Sequence, residues 1–249
     1  MNRTLALITA TLLTGCPWGD GDDDVPPLPP LAIADGCNPL FGGGECFLPY
    51  PSDHFLQPDA SLPSGKRLVM QGAGMLISDT GKPIDPTLVA TMDGFSRVPT
   101  IMFSMLTATA TDGLVRIDDN YDLSTKPDTS ATLLINAGTG EAIPHFVDVD
   151  PEADDPSREG LMIRPMIGLD PQTRYIVAVH GLTAPDSSLI DAPEGFRRLR
   201  DDRAKGDPVL WPLAQRYETE IFPALVTAGL ERSALQLAWD FTTASEFNA

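Results

Sequence analysis

Ser52-Asp53-His54 puts the three side chains of a serine-hydrolase triad on consecutive residues. Adjacent side chains diverge, so nucleophile, base and orienting acid cannot line up there. The stretch reads instead as a turn in which Ser52 or Asp53 bonds nearby backbone amides. A second candidate is Tyr175-Ile176-Val177-Ala178-Val179-His180-Gly181, a strand running into a His-Gly turn of the kind that builds an oxyanion hole. That chemistry needs a Gly-x-Ser-x-Gly elbow to expose a nucleophile beside backbone N–H donors. The nearest pentad, Gly94-Phe95-Ser96-Arg97-Val98, lacks the second glycine, so His180 reads as a histidine at a strand end. His54, His145 and His180 are scattered, and none has an i,i+4 partner with which to hold a metal. Asp148, Asp150, Glu152, Asp154 and Asp155 crowd around Pro151. Calcium favours several carboxylate oxygens, but such a run reads first as a solvated loop. These residues therefore assign no catalytic group, no metal ligand and no cofactor.

The cysteines are more informative. The chain opens MNRTLALITATLLTGC: one cation at Arg3, an uncharged apolar run from Leu5 to Leu13, and a small-residue exit at Thr14-Gly15-Cys16. A basic head followed by an apolar run of about 10 residues is a secretory signal, too short to span a bilayer. Leu13-Thr14-Gly15-Cys16 resembles a bacterial lipobox, which implies a signal peptide over 1–15 and a lipidated Cys16 as the first mature residue. Cys37 and Cys46 then remain as one pair around a glycine-rich loop. An exported chain meets oxidising conditions, so a disulfide is expected. Closing so small a loop contributes about 2–3 kcal/mol through the unfolded state. A two-thiolate metal site is the rival, and it lacks a nearby histidine or further cysteine.

Charge narrows the partners. The chain of 249 residues carries a formal charge of -18, with 42% hydrophobic and 21% charged residues, so the body is globular rather than disordered. Such an acidic surface argues against nucleic acid and against electrostatic adhesion to anionic lipid. Membrane attachment must then come from acyl chains. Residues 16–35 read as an acidic, Pro-rich tether. Asp20, Asp22, Asp23 and Asp24 repel one another, and Pro26, Pro27, Pro29 and Pro30 favour extended geometry. At about 3.1 Å per residue it holds a domain some 50–60 Å from the lipid. Position 17 is proline rather than aspartate, which by resemblance to lipoprotein sorting rules leaves the outer membrane open as destination.

The elements follow in order. Residues 36–105 are turn-rich, with one expected helix: Asp85 caps it, Pro86 fits its first turn, Leu88 and Met92 share a face, and Gly94 stops it. Thr100 to Leu106 is expected to form a strand. Thr132–Asn136, the turn Ala137-Gly138-Thr139-Gly140 and Ile143–Val149 predict a hairpin, with Pro144 at its edge. Leu161–Arg164 and Arg174–Val179 are further strands. Leu235, Leu237, Trp239 and Phe241 alternate with Gln236, Ala238, Asp240 and Thr242, which predicts a strand with one buried and one wet face. Phe196 and Leu199 mark a short helix. Leu213, Tyr217, Ile221 and Leu225 mark a longer one, with Gly229 as its stop and Pro223 kinking or shortening it. The expectation is a mainly β fold: an Ig-like β-sandwich over 106–249 carrying a helical insertion at about 193–230.

Four phrases in order carry a family resemblance: Cys46-Phe47-Leu48-Pro49-Tyr50-Pro51-Ser52-Asp53-His54-Phe55, Met92-Asp93-Gly94-Phe95-Ser96, Arg174-Tyr175-Ile176-Val177-Ala178-Val179 and Leu237-Ala238-Trp239-Asp240-Phe241-Thr242-Thr243-Ala244-Ser245. Over residues 37–245 the chain resembles the N-terminal region of large bacterial surface lipoproteins, including the bacterial virulence-factor lipase N-terminal family. Its strand-rich half is similar to bacterial Ig-like domains, whose last strand often ends in Phe-Thr-Thr. Lipase-like members carry a hydrolase domain further downstream. That part is expected to be absent here, and the family's catalytic residues match no position in this chain. The resemblance implies a lipid-anchored, non-catalytic binding or positioning module outside the cytoplasm, or the accessory front end of a surface lipase or esterase.

Overall fold

Short apolar runs broken by proline and glycine yield short strands and tight turns. The computed structural model describes residues 26–43, 45–75, 77–78, 80–85, 87, 89–150, 153–155 and 158–248. There the chain is mainly β, with three small antiparallel sheets and few helices. Strand β1 (Leu56–Pro58) pairs with β2 (Lys66–Leu68). The second sheet uses β3 (Ile101–Phe103), while β4 (Thr132–Asn136) belongs to the third. Next come β5 (His145–Val149), β6 (Leu161–Pro165), β7 (Arg174–His180) and β8 (Leu235–Thr242). The orders are β3-β6-β5 and β4-β7-β8, so β6 and β7 are the central strands. Phe103 on β3 packs against Trp239 on β8 with ring centroids 5.8 Å apart, joining the two sheets through one core.

The expected hairpin is corrected at Pro144. Its turn forms: the Asn136 N–H donates to the Glu141 carbonyl at 2.9 Å and the Ile143 N–H to that of Leu134 at 2.8 Å. Pro144 then has no N–H to extend the ladder, and the strands part. β4 joins β7 and β5 joins β6. Of the expected helix at 85–94, Pro86 and Leu88 lie outside the described residues, and Thr87 is in a 3-10 turn. Asp85 accepts the Thr87 N–H at 2.9 Å as a cap would, and the Met92 N–H donates to the Val89 carbonyl at 3.0 Å. The Met92 carbonyl instead accepts the Leu68 N–H. Gly94 serves a different purpose from the expected stop, because a Cβ there would lie 2.6 Å from the Ala244 Cα. It lets the chain pass against the end of β8.

The helices lie between β7 and β8: α1 (Glu194–Arg200), α2 (Trp211–Arg216) and α3 (Phe222–Thr227). Tyr217, Ile221 and Leu225 are buried, as their spacing of four requires. Pro223 does not end the run. A π turn over Tyr217–Ile221, with the Phe222 N–H reaching back to the Tyr217 carbonyl, inserts an extra residue. Pro223 therefore falls in the first turn of α3, where an amide donor is not needed. Gly229 ends the helix at φ 92°.

Cys37 and Cys46 form a disulfide across a sequence separation of nine. Residues 1–15, Cys16 and the acidic part of the tether lie outside the described residues. The proline-rich remainder lies along the body. Arg203 donates to the Pro26 carbonyl at 3.1 Å, Arg198 to that of Pro29 at 2.7 Å, and the Leu31 N–H donates to Asp207 Oδ2 at 2.8 Å. Both Arg198 and Asp207 are buried, so this contact belongs to the folded body and is no loose spacer. Among the described residues no helix is long and apolar enough to cross a membrane.

Candidate functional site

The structure separates the three residues of the Ser-Asp-His phrase. Ser52 Oγ accepts the His54 N–H at 3.3 Å, capping a single 3-10 turn, as a turn reading requires. The His54 ring packs edge-on against Phe55, 5.0 Å between centroids. Asp53 points elsewhere, to Thr242 at the end of β8. His180 ends β7, bonded to the Ser130 carbonyl, while burial lowers its pKa and leaves its Nε2 unpartnered. Its recess of about 360 Å³ is lined by Asp128, Glu231 and small or apolar residues, with no serine or cysteine among them. Asp148, from the acidic run, pairs with Arg164 at 2.7 Å, and Glu152 lies outside the described residues. Among the described residues no three of His, Cys, Asp and Glu are grouped to hold a metal ion.

His145 is fully buried between two hydrogen bonds. Its Nδ1 donates to the Ile143 carbonyl at 2.8 Å, so Nε2 is the acceptor for the Thr132 hydroxyl at 2.9 Å. Burial lowers its pKa from 6.5 to about 4. The folded state thus binds the proton less well than the unfolded chain. The stability it contributes is complete above pH 6.5 and is lost as pH falls towards 4. A shift of this size predicts a loss of about 3 kcal/mol over that window, measured by urea denaturation. His145→Asn should flatten this slope, and an unchanged slope in the variant would assign the effect elsewhere.

The polar constellation that the fold assembles comes from parts of the chain read separately in sequence. Arg174 opens β7 and Thr242 closes β8 directly opposite it. Asp240, two residues earlier, projects from the same face, so an arginine can reach it diagonally. Arg174 Nε bonds Asp240 and its Nη1 bonds Glu220, which the π turn carries. Arg216, the last residue of α2, bonds the same Asp240 oxygen and lies 3.7 Å from Asp53 Oδ2. Asp53 Oδ2 also accepts the Thr242 hydroxyl at 2.7 Å and Lys66 Nζ at 3.1 Å. Both aspartate side chains are 5% exposed, whereas Arg174, Arg216 and Lys66 stand at 26%, 30% and 38%. Two buried carboxylates therefore anchor three cations that still reach solvent. Burial pushes the Asp240 carboxyl up; Arg216 pulls it down, nearby Asp53 pushes up and Arg174 pulls down again. The walls enclose a recess of about 470 Å³.

Sequence reading missed this cluster by taking the second face of β8 as wet. All eight residues of β8 are buried. The helical segment and the turn after β7 cover that face: the Tyr217 hydroxyl donates to the Ala238 carbonyl at 2.9 Å, and Gln236 bonds both backbone groups of Leu182. A signal was present, since Gln236, Ala238, Asp240 and Thr242 include no lysine or glutamate such as a solvent-facing strand carries. Ser64, the hydroxyl in the recess wall, donates to the Asp93 carbonyl at 2.5 Å, and its N–H donates to the Asp93 carboxylate at 3.1 Å. No protein-family model matches this chain, and no curated protein matches it.

Proposed function

We propose that the chain is a lipid-anchored, extracytoplasmic bacterial lipoprotein module, held at the outer membrane by an acylated Cys16, that binds or positions a partner without catalysis of its own. The observation that carries this reading is the use of the cysteines. One sits in a lipobox-like exit, and the other two form a disulfide of the kind that persists in oxidising compartments. The charged recess supplies a place to bind. In the same reading β4 to β8 are parts of an Ig-like β-sandwich, supported by the antiparallel pairing of β4 with β7 and of β7 with β8. The family phrases around Cys46–Phe55 and Leu237–Ser245 favour a second role, as the accessory N-terminal domain of a surface lipase or esterase. An in-frame Gly-x-Ser-x-Gly encoded downstream selects that role.

The test is intact-mass spectrometry of the protein extracted from its native membrane. The expected species begins at Cys16, carries acyl chains and holds Cys37 and Cys46 oxidised. A chain that begins at Met1 with a free Cys16 thiol overturns the anchor.

A further inference from the structure

We propose that the outer face of α2, the π turn and α3, led by Trp211, seats on the surface of the lipid bilayer in which Cys16 is anchored. The inference rests on the proposed lipid anchor and names the side of the body that turns to the membrane.

The face is uncharged. Tyr217, Ile221 and Leu225 point into the core, so the opposite side of this helical run is its outer one. There Trp211 is 50% exposed and Val226 47%, with Gln215, Thr219 and Pro223 exposed between them. The Thr219 hydroxyl donates to the Gln215 carbonyl at 2.8 Å and needs no partner outside the helix. The charges that flank the face are neutralised from the body: Arg216 pairs with Asp240, Glu218 with Arg232 and Glu220 with Arg174. In a chain of formal charge -18 an uncharged helical face with a half-exposed tryptophan is a surface for contact.

What covers it follows from where the chain reaches the body. One carboxylate oxygen of Asp207 accepts the Leu31 N–H at 2.8 Å and the other accepts the Leu210 N–H at 3.0 Å, while the Asp207 carbonyl accepts the Trp211 N–H at 3.0 Å. The docked proline segment is therefore tied to the start of α2, beside Trp211. From Pro26 back to Cys16 the chain extends at most about 35 Å. A link that short holds the face at an effective concentration of about millimolar against the bilayer, so a contact too weak to hold a free body still forms. An indole ring suits the place, because its apolar body enters the head-group layer while its N–H stays wet. Zwitterionic head groups do not repel the acidic body as anionic ones do.

The experiment reads tryptophan fluorescence of the full chain, as extracted, in phosphatidylcholine vesicles with and without bromine on the acyl chains. Bromine quenches only the indoles it touches. Trp18 lies two residues from Cys16, so every protein carries Trp18→Phe. Trp239 is 1% exposed, bonded to the Pro51 carbonyl at 2.8 Å, and serves as the unquenched reference. In brominated vesicles the Trp18→Phe protein is expected to lose the share of its emission that Trp211 supplies, and the protein that also carries Trp211→Phe to lose none. Should Trp211→Phe fail to fold, Gln215→Glu with Thr219→Glu, both at exposed positions, provides the second arm and should restore the quenched emission. Equal emission with and without bromine from a chain whose mass shows an acylated Cys16 overturns the seat alone. A blue shift that grows with protein concentration and ignores bromine overturns it too, because a second copy then covers the face. Quenching of Trp211 in a chain with an unmodified Cys16 overturns the anchor alone.

Discussion

Asp240→Ala is expected to destabilise the fold by about 3–5 kcal/mol, because it breaks a buried ion pair from one side. The carboxylate is 5% exposed and accepts from both Arg174 and Arg216. Without it, two guanidiniums face each other across the end of β7 and α2, with only Glu220 and Asp53 left as counter-ions. The strand also loses one of its ties to the helical layer, the bond from Arg216 at the end of α2. Asp240→Asn keeps the shape and one acceptor oxygen. It should cost markedly less, because the raised pKa of Asp240 already shows that burial works against the charge. The measurement is equilibrium urea unfolding of the three proteins at neutral pH. An alanine variant within about 1 kcal/mol of the parent would mean that the arginines simply rehydrate and that the cluster is dispensable.

The same residue marks the limit of what could be read from sequence. Period-two alternation along Leu235–Thr242 specifies a strand and its main buried face, and both are found. It says nothing about what covers the other face. That depends on the helical segment folding back over the sheet, through Tyr217 and Arg216, a contact spanning 21 to 24 residues of sequence separation. Arg174 was legible only as the first residue of a strand, and Asp53 only as part of a turn. Their meeting at Thr242 joins residues 189 apart in sequence, which no local signal encodes. Helices marked by spacing of four were legible, because tertiary packing reinforced that pattern at Tyr217, Ile221 and Leu225. The hairpin failed where one missing N–H at Pro144 outweighed an otherwise favourable turn.

On the proposed reading, the variant with the largest effect on where the protein resides is Cys16→Ser. Acyl chains hold a membrane by hydrophobic transfer, about 0.8 kcal/mol for each buried methylene, and a hydroxyl cannot be thioether-linked to them. A body with a formal charge of -18 has no electrostatic attraction to anionic head groups to fall back on. The variant should therefore leave the washed membrane fraction almost completely and keep its uncleaved or unacylated mass. A variant that remains membrane-bound and is processed like the parent overturns the anchor. The docked segment adds a geometric consequence. Pro26 and Pro29 accept hydrogen bonds from Arg203 and Arg198, and Leu31 is tied to Asp207. Only the residues between Cys16 and Pro26 can then span the gap to the lipid, at most about 35 Å for a fully extended chain. This is well short of the reach expected of a free tether running to residue 35. Reflectometry of the acylated protein on a supported bilayer should place the near edge of the body within that limit, and a body standing some 50–60 Å away would mean that the proline segment detaches from Arg198 and Asp207 at the membrane.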